Sequence, residues 1–267
     1  MLEEEKVMVE VDTKLLPYVK VENEVWTIDA EGMHYKDLNH LLRIASSSGA
    51  EKIGIHNVCG QRYIGTDLDA EVEIDIYGIP GNDLGAFMNG PAITVHGNAQ
   101  DGCGNTMNEG KIVVHGHAGD ITGYSMRGGK IFVRDDVGYR VGIHMKEYQS
   151  KKPQLVIGGT AQDFLGEYMA GGVILILGLN LNEGECCTAR FVGTGLHGGV
   201  IYERGNILKL GKGTKAMKVG KRDMRTIESL VKEYCEHFGV DFAKVMSMPF
   251  RKIVPVSKRP YEALYST

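Results

Sequence analysis

"DGCGNTMNEG", residues 101–110, sets a glycine three residues before a methionine and another glycine three residues after it. A similar phrase stands upstream, "NDLGAFMNG" (82–90), and downstream, "DITGYSMRGG" (120–129). Recurrence at a fixed step is the mark of a repeat architecture, so the period is measured first. Taking the first aliphatic residue of each short strand-like run as an anchor gives Ile53, Ile74, Ile93, Ile112, Ile131, Leu155, Ile174 and Ile201. They are separated by 21, 19, 19, 19, 24, 19 and 27 residues. Four steps after the anchors come Gly78, Gly97, Gly116, Gly159, Gly178 and Gly205, with Asn57 and Asp135 as exceptions. Eleven steps on stand Gly85, Gly104, Gly123, Gly142 and Gly166, and Gly193 joins them once an insertion around "LNEGECCT" is allowed for. Fourteen steps on stand Met88, Met107, Met126, Met145 and Met169, with Leu196 in the expanded turn.

Runs such as "AITVHG", "KIVVHG" and "KIFVRD" alternate with period two, so the anchor and the residue two later share a face. A chain that returns to its own start every nineteen residues stacks strand on strand, parallel and about 4.8 Å apart. The glycines are expected at corners where a left-handed backbone would strain any residue with a β-carbon. The methionines become a column down the interior, each worth about 1.5–3 kcal/mol on burial. The predicted fold is all-β: a right-handed parallel β-helix (β-solenoid) of about eight coils, roughly 34 Å long, with flanking α-helices. The chain divides into an N-terminal segment with a capping helix (1–50), the solenoid (51–210), and a connector, C-terminal helix and tail (211–267). Open ends of such a rod need covering. "HYKDLNHLLRIASSSGA" (34–50) and "DMRTIESLVKEYCEHFG" (223–239) carry apolar residues at helical spacing with a glycine stop, and are predicted to supply those covers.

Composition narrows the function classes. The 267 residues contain 36 glycines and only 7 prolines, and the net charge is −4, with no global bias toward nucleic acid or an anionic membrane. Five cysteines without any Cys-x-x-Cys read as reduced thiols, which leaves zinc ribbons and cluster loops unsupported. No signal-like N-terminus and no long apolar run is present, so a soluble, cytoplasmic protein is expected.

Residues one step after each anchor face outward. They run Asp75, Thr94, Val113, Phe132, Val156, Leu175, Tyr202, polar at first and apolar afterwards. Phe132, Val156, Leu175 and Tyr202 are therefore the candidate partner surface, with cover by the C-terminal helix as the competing explanation. The inserted loop Leu181–Ala189 is a second candidate contact. Three steps after the anchors stand His56, Tyr77, His96, His115 and Arg134; His96 and His115 on adjacent coils, with His117 nearby, have a spacing that invites a metal, yet no cysteine or carboxylate recurs in that column. "GTGLHG" (193–198) matches the dinucleotide fingerprint as a string but precedes a strand rather than a helix. Lys209, Lys212, Lys215, Lys218, Lys221 and Arg222 form a basic strip, read as a solvated connector or as a docking strip for anions or a partner. No nucleophilic triad has support, and the chain begins Met-Leu, without an N-terminal cysteine nucleophile. The expectation is a scaffold with no catalytic residue, no cofactor and no metal of its own.

The glycine spacing in "HGNAQDGCG", "HGHAGDITG" and "IGGTAQDFLG" resembles the GXGXG domain, the C-terminal β-helix of the glutamate synthase large (alpha) subunit. It is also similar to the formylmethanofuran dehydrogenase subunit that shares the solenoid. "IHNVCGQRYIG" (55–65), "GEYMAGGVILILG" (166–178) and "FRKIVPVSKRP" (250–260) favour the first. That resemblance implies a stand-alone third part of glutamate synthase. It would pack between glutaminase and FMN-dependent synthase subunits, with FMN and an iron–sulfur cluster held by those other chains. The alternatives are a formylmethanofuran dehydrogenase component and a free-standing ligand-binding solenoid.

Overall fold

The computed structural model describes residues 11–182, 185, 187, 189–205 and 209–257. In chain order its elements are β1 (Val19–Glu22), β2 (Val25–Asp29), α1 (Tyr35–Ser47), β3 (Lys52–Cys59), β4 (Glu73–Ile79) and β5 (Ala92–Val95). Then come β6 (Lys111–Val114), β7 (Lys130–Val133), β8 (Gln154–Ile157), β9 (Ala170–Ile176) and β10 (Gly198–Arg204). β11 (Thr214–Lys218), α2 (Lys221–Phe238), α3 (Phe242–Met246) and β12 (Phe250–Pro255) follow among the described residues.

The strands form one sheet in the order β1-β2-β3-β4-β5-β6-β7-β8-β9-β10-β12-β11. From β2 to β10 every pairing is parallel. Ile53 pairs with Ile74, and the column continues through Ile93, Ile112, Ile131, Leu155 and Ile174 to Ile201, so all the anchors stand in one register. This is a parallel β-solenoid. Six passages from β3 to β9 are regular and the seventh is expanded by the insertion, which makes about six turns rather than the expected eight coils. Both ends are closed by antiparallel additions: β1 on β2, and β12 then β11 on β10. β11 falls within the lysine-rich connector, which is therefore partly a strand.

The interior is filled by the column side chains. Met88, Met107, Met126, Met145 and Met169 are all fully buried. Four of the five thioethers share one seat: the methyl ends of Met88, Met107, Met145 and Met169 lie against the closing glycines of the next winding, Gly110, Gly129, Gly172 and Gly199. Gly85, Gly104, Gly123, Gly142, Gly166 and Gly193 all have φ between 65° and 72°, a left-handed backbone repeated winding after winding.

The other glycine column has a different cause. Gly78, Gly178 and Gly205 have positive φ, but Gly97, Gly116 and Gly159 do not. There a β-carbon would press on the preceding winding, 2.9 Å from the Gly78 carbonyl oxygen at Gly97 and 2.8 Å from the Gly97 oxygen at Gly116. Close approach of stacked backbones, not φ, keeps those positions bare. Conversely, left-handed corners also hold Phe87, Ile121, Phe164, Tyr168 and Phe191. For residues with a β-carbon that conformation costs about 1–2 kcal/mol, met here by the coil-to-coil hydrogen bonds that fix the turns.

Candidate partner surface and outer face

α2 settles the outer face of the sheet. It lies over β6 to β10, burying Ile227, Leu230, Val231 and Tyr234 against Val113, Phe132, Val156, Leu175 and Tyr202. Phe132, Val156 and Leu175 are 0% exposed and Tyr202 is 3% exposed, so these four residues are not a partner surface. The chain's own amphipathic helix occupies the strip, because a tethered apolar face reaches it ahead of any free partner. Polar contacts fix the helix in register. Lys111 Nζ and Lys130 Nζ, from successive windings, donate to the two oxygens of Glu233 at 2.9 and 2.6 Å. Tyr234 donates its hydroxyl to the Arg134 carbonyl at 2.9 Å, and Tyr202 donates to Asp223 at 2.7 Å. Burial works to raise the Glu233 carboxyl, but its bonds to Lys130 and Lys111 outweigh that and hold it below the ordinary range. The helix starts on the Asp223 side chain, which accepts from Gly220 N, and stops at Gly239, left-handed at φ 66°.

Where the outward column is polar, at Asp75 and Thr94, the helix has ended. A groove of about 280 Å³ remains there, lined by Lys52, Glu73, Asp75, Thr94, Lys111 and His237 among others. Beside it runs a stack of rings: His56 on Tyr77 at 4.6 Å, Tyr77 on His96 at 4.4 Å and His96 on His115 at 5.6 Å. His115 meets Phe238 of α2 edge-on at 5.1 Å. Asp75 joins Lys52 at 2.7 Å and His96 at 2.8 Å. Face-to-face imidazoles point their nitrogens along parallel planes instead of converging on one point. Among the described residues no group of three His, Cys, Asp or Glu is placed to hold a metal. Burial, followed by the His96 and Arg134 charges, lowers the His115 imidazole.

The remaining sequence candidates fall into place as parts of the windings. Gly193 and Gly195 of "GTGLHG" are left-handed corner residues leading into β10, with no helix directly behind them. Cys103 is fully buried, and burial pushes its thiol up to about 12. Asn180, at the start of the inserted loop, donates to Asp136 at 2.9 Å; residues 183, 184, 186 and 188 of that loop lie outside the described residues. Two features escape the sequence reading. One is the Glu233 clamp, which needs the helix register. The other is a set of surface rings, Tyr168 and Phe191, which are exposed, and Phe164, which is half-buried. A signal for it exists, since Phe164 and Tyr168 stand nine and thirteen steps after the anchor Leu155. No helix among the described residues is long and apolar enough to cross a membrane.

A parallel solenoid with glycine corners, an interior methionine column and a C-terminal helix on one outer face defines the class. The chain belongs to the family described as "GXGXG motif", matched by residues 40–257. It is 49% identical over 249 residues to an uncharacterized protein of Methanocaldococcus jannaschii, covering 90% of this chain and 95% of that one. Among solved structures it is similar to a chain of the formyltransferase/hydrolase complex of Methylorubrum extorquens in complex with methylofuran. The TM-score is 0.57 at 17% identity, over 86% of this chain and 95% of that chain, a likeness of fold.

Proposed function

We propose that this chain is a non-catalytic structural subunit of a glutamate synthase-like complex. It would pack between a glutaminase part and an FMN-dependent synthase part, which carry the FMN and the iron–sulfur cluster. Membership of the family and the resemblance of residues 55–65, 166–178 and 250–260 to the glutamate synthase large subunit support this reading. The observation that carries it is the use made of the side chains. The interior columns are filled mainly with aliphatic and thioether groups, Glu203 on β10 being a buried carboxyl among them, and charges such as Glu233 and Asp75 are engaged in tying windings to each other or to α2. What such a rod offers is an outer surface of fixed geometry.

The test is purification of the tagged chain from its native host. Glutaminase and flavin-containing synthase subunits should co-purify in fixed ratio, and glutamine-dependent glutamate formation should fall when this chain is left out of the reassembled complex. A chain recovered alone overturns the reading. Recovery with formyl-transferring subunits selects the second reading, a formylmethanofuran dehydrogenase-like component, which the fold of the Methylorubrum extorquens neighbour favours.

A further inference from the structure

The last windings of the rod carry a surface that their own folding does not require. Four windows stack there: 140–144, 163–168, 190–195 and 209–213. Arg140 N donates to Asp163 O, Phe164 N to Arg190 O, and Val192 N to Lys209 O. Along this edge Phe164 stacks on Phe191 at 5.0 Å, and His144 on Tyr168 at 5.5 Å. The Arg140 guanidinium sits 5.3 Å from the Phe164 ring, and that of Arg190 lies 6.0 Å from Phe191. Arg140, His144, Phe164, Tyr168 and Phe191 are all held left-handed, where glycine or asparagine would serve at less conformational cost.

The charges in these windows are sorted by depth. The acids, Asp163 and Glu167, are buried and hold the guanidinium groups, Arg190 at 2.6 Å and Arg140 at 3.3 Å. The cations are outside: Arg140, Arg190, Lys209 and Lys212 are exposed. Lys215 and Lys218 on the edge strand β11 continue the same sign. Rigid aromatic rings flanked by pre-oriented arginines are the composition of interface hot spots, and the exposed cations, which outnumber the one exposed acid beside Arg140 and Phe164, Asp120, select an acidic mate.

We infer that this edge, centred on Phe164, Phe191, Arg140 and Arg190, is the docking face for an acidic partner subunit that presents carboxylates between apolar side chains. The inference rests on the reading of this chain as a subunit of a complex.

The test uses the full chain and the subunits that co-purify with it, bound back to the purified chain. A zero-length carbodiimide cross-linker should join Lys209 or Lys212 to aspartate or glutamate of a partner. Raising salt from about 0.05 to about 0.5 M should weaken the complex. Phe164→Ser with Phe191→Ser should weaken binding about tenfold or more. Lys209→Glu with Lys212→Glu, a change of exposed lysines that leaves the core alone, should do so mainly through slower association. Tyr77→Ser, on the ring stack, is the control and should bind as wild type. Partner cross-links confined to other faces, with both double variants binding as wild type, overturn this docking face while the subunit reading stands. A chain that brings no subunit with it overturns both.

Discussion

The seating of four of the methionines on the closing glycine of the next winding can be tested at Gly129 and Met107. A β-carbon on Gly129 would fall inside contact distance of the Met107 methyl and 2.8 Å from the Gly110 carbonyl oxygen, at a φ of 74°. The left-handed backbone costs alanine about 1–2 kcal/mol. Overpacking adds about 1–3 kcal/mol. Gly129→Ala should therefore lose about 2–5 kcal/mol, read as a lowered urea midpoint at unchanged slope. At about 2–4 °C per kcal/mol for a chain of this size, the thermal midpoint should fall by about 4–20 °C. Met107→Ala alone should cost about 2–5 kcal/mol through the cavity it leaves. The two losses should not add. Removing the thioether clears the space the new methyl needs, so the double variant should be more stable than the sum predicts by about 1–3 kcal/mol. Losses that add to within about 0.5 kcal/mol would refute the seating, as would a Gly129→Ala protein as stable as wild type.

Two carboxyls give opposite pH signatures. Glu233 is held below its ordinary value of 4.5, so its contribution is present above that pH and lost as pH falls below it. Glu233→Gln should cost about 1–3 kcal/mol at neutral pH and flatten the acid limb of a thermal-midpoint profile. An unchanged acid limb would place the loss elsewhere. Glu203 is buried on an inward position of β10, and burial alone pushes its carboxyl up from 4.5 to about 7. The folded chain then binds the proton more tightly than the unfolded chain, so stability falls as pH rises from about 4.5 to 7. Glu203→Gln should raise stability at pH 8, by an amount on the order of 3 kcal/mol at most, and remove that slope. A variant less stable than wild type at pH 8 would show that the ionised carboxylate is wanted there.

The solenoid is legible in the sequence because translation copies one environment many times. Ile93, Ile112 and Ile131 each meet the same neighbours one winding away, so the pattern averages out local accidents and fixes the register residue by residue. The two helices are legible too, with α2 found at Lys221–Phe238 where the glycine-stopped periodicity of 223–239 puts it. Its expected place is corrected: it lies along the outer face of β6 to β10, and the strands β12 and β11 close the end it was expected to cover. The antiparallel strands β1, β11 and β12 are single events with no repeat to amplify them, and the pattern does not disclose them. For the glycine columns the sequence suggests a single cause, left-handed φ. Spacing cannot distinguish a corner like Gly104 from a close backbone approach like Gly116, since both simply exclude a β-carbon.

The partner surface is the harder problem. Val113 to Tyr202 announces an apolar strip needing cover, but a tethered helix and a free protein leave the same mark on the strip itself. The distinction lies in the covering element: Glu233 and Tyr234 carry groups that match Lys111, Lys130 and the Arg134 carbonyl on the windings beneath. Once the helix has taken that strip, an unsatisfied surface must be sought where no element of the chain supplies matching groups. Among the described residues no helix or strand lies over the edge of Phe164 and Phe191: its acids are turned inward to hold arginines, while Phe191 and the lysines Lys209 and Lys212 stay exposed. A fold built by repetition makes its interior easy to read and displaces the information about partners into the residues that depart from the repeat.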